Sequence, residues 1–175
     1  MKQLTQVPVS YDISKLKPVT SEVAFNLHFN EIYKDHVDCF NASLGDIPFH
    51  KAGAHLHSLY FENIREYRHN NEPVGKVAQI IEMRYGTFNN FVQTMYDQVF
   101  RLQGNGWIFM NTAGYVNIIP NNRIVDNVAM IIDFWEHAYL LSHGVDRNKY
   151  LKDHLHIINW DVVNQRILTP KREEE

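Results

Sequence analysis

Asp133-Phe134-Trp135-Glu136-His137-Ala138-Tyr139 sets a carboxylate and an imidazole four residues apart among aromatic side chains. The run leading into it, Val128 to Phe134, reads as a β-strand. Asp133 then falls at the strand's end, where the chain can turn and aim His137 at the same point. Two upstream histidines offer partners. His28 lies in a helical pattern from Glu22 to about Phe40, on a broad face with Leu27, Ile32, His36, Val37 and Phe40. His57 lies in a second pattern, Lys51 to Arg65, on a stripe with Tyr60, Phe61 and Ile64, whereas His55 aligns with Leu59 and Glu62. Three imidazoles and one carboxylate suit a hard-to-borderline ion such as manganese or iron. Each piece also has a plainer explanation: a lone histidine on an apolar face is usually a hydrogen-bonded core residue, and Trp107, Trp135, Tyr60 and Phe61 can be ordinary core.

The two N-terminal helices are separated by residues 41–48, a turn containing Leu44-Gly45-Asp46-Ile47-Pro48, and so predict an antiparallel hairpin. Thr20 and Ser21 offer N-caps for the first of them. Arg68-His69-Asn70-Asn71-Glu72-Pro73 is polar and ends in proline, which marks a boundary between an N-terminal helical hairpin domain, 1–70, and a C-terminal α/β domain, 71–175. Helices are expected near 75–84 and 88–102, the second capped by Thr87. After Gly104-Asn105-Gly106, strands at 107–110 and 115–119 flank Asn111-Thr112-Ala113-Gly114, a hairpin turn in which Gly114 supplies the positive φ. Helices are expected to resume after Arg147. The pattern is an α+β chain, a helical hairpin followed by an α/β lobe around a three-stranded antiparallel sheet.

Composition narrows the function classes. The chain has 175 residues, 45% apolar and 21% charged, with a formal charge of -3 and no basic block, which argues against a nucleic-acid partner. Cys39 is its one cysteine, so an internal disulfide and a thiolate cluster are both excluded and a reducing compartment is implied. The start, Met1 to Gln6, has neither the apolar core of a signal peptide nor the arginines of a transit peptide. No segment approaches the roughly 18 apolar residues needed to cross a bilayer. These features predict a soluble, intracellular (cytoplasmic) protein without a membrane partner. Glu173-Glu174-Glu175 is expected to be a solvated tail.

From Tyr11-Asp12 to about Gln165, the chain resembles the iron/manganese superoxide dismutase family. The string from Asp133 to Tyr139 is similar to that family's signature, and Gly104-Asn105-Gly106-Trp107 to its Gly-x-Gly-Trp element. Leu27-His28 and His57-Ser58-Leu59-Tyr60-Phe61 resemble the segments of the first two ligands. Arg147 to Leu151 and Ile158-Asn159-Trp160 also match. The resemblance implies one Mn or Fe ion per subunit, held by His28, His57, Asp133, His137 and a solvent molecule, and dismutation of superoxide to O2 and H2O2. It implies Trp107 and Trp135 as walls of the site, Arg147 near the substrate's approach, and a homodimer formed around Glu136 and His137.

The departures are specific. Where the family carries a tyrosine two turns after the first ligand, this chain has His36, an imidazole expected to change charge near neutral pH. Asn122 is the nearest match to the sheet-borne glutamine of manganese members, and Gly53 stands where iron members place theirs, a pattern that leans to manganese. A histidine–tyrosine bond across the family's dimer interface would fall at Ile32 and Leu140 here, both apolar. The hairpin loop and sheet connections are short, which argues against a hairpin-built tetramer. Altered outer partners predict working but atypical or reduced activity. Three readings compete with a normal dismutase. A dismutase-fold structural or interaction subunit would hold no stoichiometric metal. A zinc hydrolase would need a general base that the four residues lack. An iron-oxygenase triad built on His36-Val37-Asp38 fails because residues 36 and 38 point apart on a helix.

Overall fold

The computed structural model describes residues 3–169, so the acidic end Glu173–Glu175 and the first two residues lie outside the described part. Ser21 caps the first helix, its hydroxyl accepting from Ala24 N at 3.1 Å. The helical run comprises α1 (Glu22–Asn26), a π-helical stretch Leu27–Tyr33, and α2 (Lys34–Ala42), closing at Ser43 with φ 55°. The π stretch interrupts the α-helical spacing that the sequence suggests, and it carries His28. Such π-helical widenings are frequent at functional sites. Helix α3 (Ile47–Glu62) begins four residues earlier than expected. The reason is local: Asp46 accepts from Phe49 N at 3.0 Å, and Pro48 occupies the first turn, where a missing N–H costs nothing. α2 and α3 form the antiparallel hairpin.

Helices α4 (Gly75–Tyr85) and α5 (Phe88–Arg101) follow, with Thr87 capping α5 through Asn90 N at 3.1 Å. Strands β1 (Gly106–Asn111), β2 (Val116–Pro120) and β3 (Val128–Asp133) form an antiparallel sheet of order β2-β1-β3. Gly114 has φ 87°, as the turn requires. Every residue of β3 and all but the last of β1 are buried, because α3 and α8 pack against β3 and α5 packs against β1. The register sets Trp107 on β1 directly opposite Asp133 on β3.

Helices do not wait for Arg147 to resume. α6 (Glu136–His143) starts immediately after Asp133-Phe134-Trp135, with acidic Glu136 in its first turn and Gly144 (φ 57°) closing it. α7 (Arg147–His154) and α8 (Trp160–Leu168) complete the chain. The hairpin and the sheet share one core. The end of the hairpin is also tied by backbone to the segment between α7 and α8: Arg65 N donates to Ile157 O at 2.7 Å, and Ile64 bridges Ile158. Asn63, almost wholly buried, accepts from Ile131 N at 2.9 Å. The fold is α+β, as the pattern predicts.

Candidate metal centre

Four side chains from four elements meet at the end of the sheet where β3 finishes and β1 begins. His28 comes from the π stretch, His57 from α3, Asp133 from the last position of β3 and His137 from the first turn of α6. One ligand atom from each lies within 4.8 Å of all the others. Nε2 of His28 and of His137 stands 3.1 Å from Asp133 Oδ2, and Nε2 of His57 stands 3.7 Å from it. His28, His57 and Asp133 are buried, and His137 is nearly so. His55, on the other side of α3, does not join them.

The protonation pattern follows from the partners. His57 Nδ1 lies 2.7 Å from Gly53 O, a carbonyl that can only accept, so the proton is on Nδ1 and Nε2 carries a bare lone pair. Burial, and after it the neighbouring His28, holds His57 neutral, well below the ordinary imidazole value. His28 is lowered too, by burial first, with Asp133 opposing. Nε2 of both rings finds no hydrogen-bond partner among the described residues. Asp133 is oriented from the other side: Trp135 N donates to its Oδ1 at 2.7 Å, leaving Oδ2 to face the three rings. Burial alone would raise its carboxyl, but His137 and His28 outweigh that and keep it ionised well below the usual carboxylate range. The neutral imidazoles of His28 and His57, with Nε2 unpaired, and His137, whose Nε2 stands 3.1 Å from the same ionised oxygen, are a donor set that fits a metal ion of the manganese or iron kind.

Aromatic rings close the site. Trp107, fully buried, meets His57 edge-on at 5.0 Å, and Trp135 stacks on His137 at 6.0 Å. Tyr60 stacks on His28 at 5.2 Å and Tyr33 on His57 at 5.5 Å. Tyr33 escaped the sequence reading because it is five positions after His28, a spacing that an α-helix would turn away. The π stretch brings both to one side.

A polar chain leads outward from Trp107. An indole N–H can only donate, so its 3.0 Å contact with Asn122 assigns Oδ1 to that side of the amide. Asn122 Nδ2 then faces His36 Nε2, a long contact of 3.5 Å, which makes Nε2 the acceptor. The proton of neutral His36 is therefore on Nδ1, which donates to His50 Nδ1 at 3.2 Å. His36 does not change charge near neutral pH as expected from its type. Burial, and next the neighbouring His50, push it down to about 4. Gly53 makes room for it, since a Cβ there would stand 2.5 Å from His36 Nδ1. His50 was not singled out in the sequence, where nothing separates it from other half-exposed histidines. Arg147 donates to Leu102 O at 2.9 Å, with its guanidinium 5.4 Å from the centre of the Phe134 ring.

Residues 73–166 match the family described as iron/manganese superoxide dismutases, C-terminal domain, a span of just over half the chain. Proteins named superoxide dismutase (Fe) are similar over nearly the whole length. That of Sulfolobus acidocaldarius is 27% identical over 94% of this chain and 92% of its own. That of Methanothermobacter marburgensis is 27% identical over 94% and 95%. That of Plasmodium falciparum is 26% identical over 94% and 96%.

Proposed function

The chain belongs to the iron/manganese superoxide dismutase family, and from that premise we propose that it converts two superoxide anions and two protons to O2 and H2O2. His28, His57, Asp133 and His137 would hold one iron or manganese ion per subunit. The observation that carries this reading is the convergence of their ligand atoms, with the Nε2 lone pairs of His28 and His57 unspent. Once held there, the ion supplies one-electron redox chemistry between its trivalent and divalent states.

The protein's own groups do the rest. His57, its Nδ1 proton anchored on Gly53 O, presents a neutral nitrogen in a fixed orientation. Asp133 supplies one negative charge through an oxygen that Trp135 N leaves free. Trp107 and Trp135 exclude water from the ligands, which raises the strength of every charge interaction inside. Asn122 and His36 order the polar end of the pocket. They replace the glutamine and tyrosine to which their positions correspond by resemblance, so turnover is expected below that of typical members. Beside this end opens a cleft of about 740 Å³ whose lining includes Phe49, Asn122 and Asp46 and two cationic side chains, Lys51 and Arg123, so that cations outnumber the one carboxylate, which suits an anionic substrate.

Between the two metals, Gly53 and an amide at 122 favour manganese, while the similar proteins above are named for iron. A homodimer is part of the reading: Glu136 is exposed at the start of α6, and Val23, Leu27, Leu140 and Leu141 are exposed apolar residues on α1, the adjoining π stretch and α6, with α1 and α6 in contact. So is the two-domain division 1–70 and 71–175, each half contributing two of the four ligands. The intracellular, cytoplasmic setting is supported by the single cysteine; no helix among the described residues is long and apolar enough to cross a membrane.

The test is elemental analysis of protein produced with both metals available, followed by dismutation rate per bound ion for each loaded form. Stoichiometric Mn or Fe and a rate above that of the free salt are expected. Protein that retains neither metal points instead to the structural-subunit reading.

A further inference from the structure

A second group of metal-ligating side chains converges outside the four-residue centre. Asp35 and Cys39 stand one helical turn apart on α2, with Cys39 Sγ 3.5 Å from Asp35 Oδ1. His50 faces them from the first turn of α3. One ligand atom from each of the three lies within 4.8 Å of the other two. The hairpin, not sequence proximity, builds the group: its short turn folds α3 back so that position 50 meets positions 35 and 39.

The donor types point to an ion class. A thiolate, an imidazole and a carboxylate are together the ligands of zinc, a borderline-soft cation. The His50 ring is held on one side by His36, whose Nδ1 donates to His50 Nδ1 at 3.2 Å, so Nδ1 is the His50 nitrogen with a lone pair and would exchange that hydrogen bond for the cation. The ring is confined on a further side by the turn before α3, where a Cβ on Gly45 would stand 3.2 Å from His50 Nε2. Cys39 and His50 are partly buried and Asp35 is exposed, so three protein ligands leave a solvent-facing side open to a fourth.

We propose that Asp35, Cys39 and His50 form a second cation site, of zinc type, with solvent completing its coordination. On binding, the Cys39 thiol loses its proton to solvent as the sulfur–metal bond forms. The site is one hydrogen bond from His36, on the side away from Asn122.

Cobalt(II) tests this directly, because thiolate-bound cobalt absorbs in the near ultraviolet and this chain has one cysteine. Cobalt entering the four-residue centre contributes no such band, since that centre has no sulfur. Titration of the full chain should give a thiolate-to-cobalt band whose final intensity corresponds to one thiolate-bound cobalt per chain and that is displaced by zinc. Cys39→Ser should abolish it. His50→Ala should weaken cobalt binding by more than the roughly 10–100-fold that loss of an outer partner costs, and Asp35→Asn should weaken it less. Far-ultraviolet circular dichroism of each variant reports that the fold is kept. No band in the unaltered protein, or a band whose affinity His50→Ala leaves unchanged, overturns the proposal. Neither result bears on dismutation, which is read separately on the Mn or Fe forms.

Discussion

Two neighbouring regions of this protein bury histidines with unpaired ring nitrogens, and they differ in what those nitrogens face. In the first, Nε2 of His28 and of His57 lacks a hydrogen-bond partner, yet both surround Asp133 Oδ2 within 3.7 Å. In the second, directly behind Tyr60, His154 is fully buried with neither ring nitrogen partnered among the described residues. Its neighbours are the rings of Tyr60 at 5.6 Å and Tyr150 at 5.3 Å. Both regions bear the cost of unsatisfied buried polar atoms. A metal ion can repay it only in the first, where a carboxylate oxygen sits at the common focus. An unpaired imidazole is thus a ligand signal when a charge is aimed at the same point, and otherwise a liability of packing.

Removing that charge should make the first region like the second. Asp133→Ala leaves three buried imidazoles around a void, and metal affinity should fall by well over the 100-fold typical of losing an outer partner. Dismutation should fall with it. Metal content after dialysis is the direct measurement, and an Asp133→Ala protein that retains stoichiometric ion would break the distinction drawn here. Trp107→Phe should act more gently. It preserves an aromatic ring against His57 but removes the indole N–H that donates to Asn122 Oδ1. Metal should be retained, while turnover drops by about 10–100-fold.

The first region was legible in the sequence and the second was not. Asp133, Trp135 and His137 form a short string whose spacing survives any view of the fold. His28 and His57 each lie on an apolar helix face that the hairpin turns inward. Tyr33 was hidden because the π stretch breaks the period used to read faces. α6 was missed because its first turn contains Glu136 and His137, residues already explained by the turn after β3. The titration of His36 was not legible, since no sequence pattern reports that Gly53 admits the ring into a buried slot. His154 carries no sequence mark of its own: it stands outside the string and the two N-terminal helix faces from which the site is read.

The Gly53 slot yields a prediction in which a sign reverses. Glycine to alanine within a helix ordinarily stabilises by up to about 1 kcal/mol. Here the new Cβ would lie 2.5 Å from His36 Nδ1, so Gly53→Ala should destabilise by about 1–3 kcal/mol, the range of overpacking. In a His36→Ala background the same change should become neutral or stabilising. Denaturant melts of the four proteins complete the cycle, and additivity would show that the two positions do not share space.

The smallest effect belongs to the second region, and it should be a gain. His154→Leu removes two unpartnered nitrogens from an apolar pocket and puts in a side chain of similar volume. It should stabilise the protein at neutral pH by about 1–3 kcal/mol, the cost of an unsatisfied buried group. Burial holds His154 in the folded protein down to about 3, against an unfolded value of about 6.5. Between those limits the unfolded chain binds a proton that the folded chain refuses, so stability contributed by this position falls as pH drops from about 6.5 toward 3. Leucine has no such proton to bind. The gain over the unaltered protein should therefore widen steadily through that acid window, while metal content at neutral pH stays the same. Urea melts at several pH values measure it, and a gain that stays constant with pH would mean that His154 already has a partner in the folded protein.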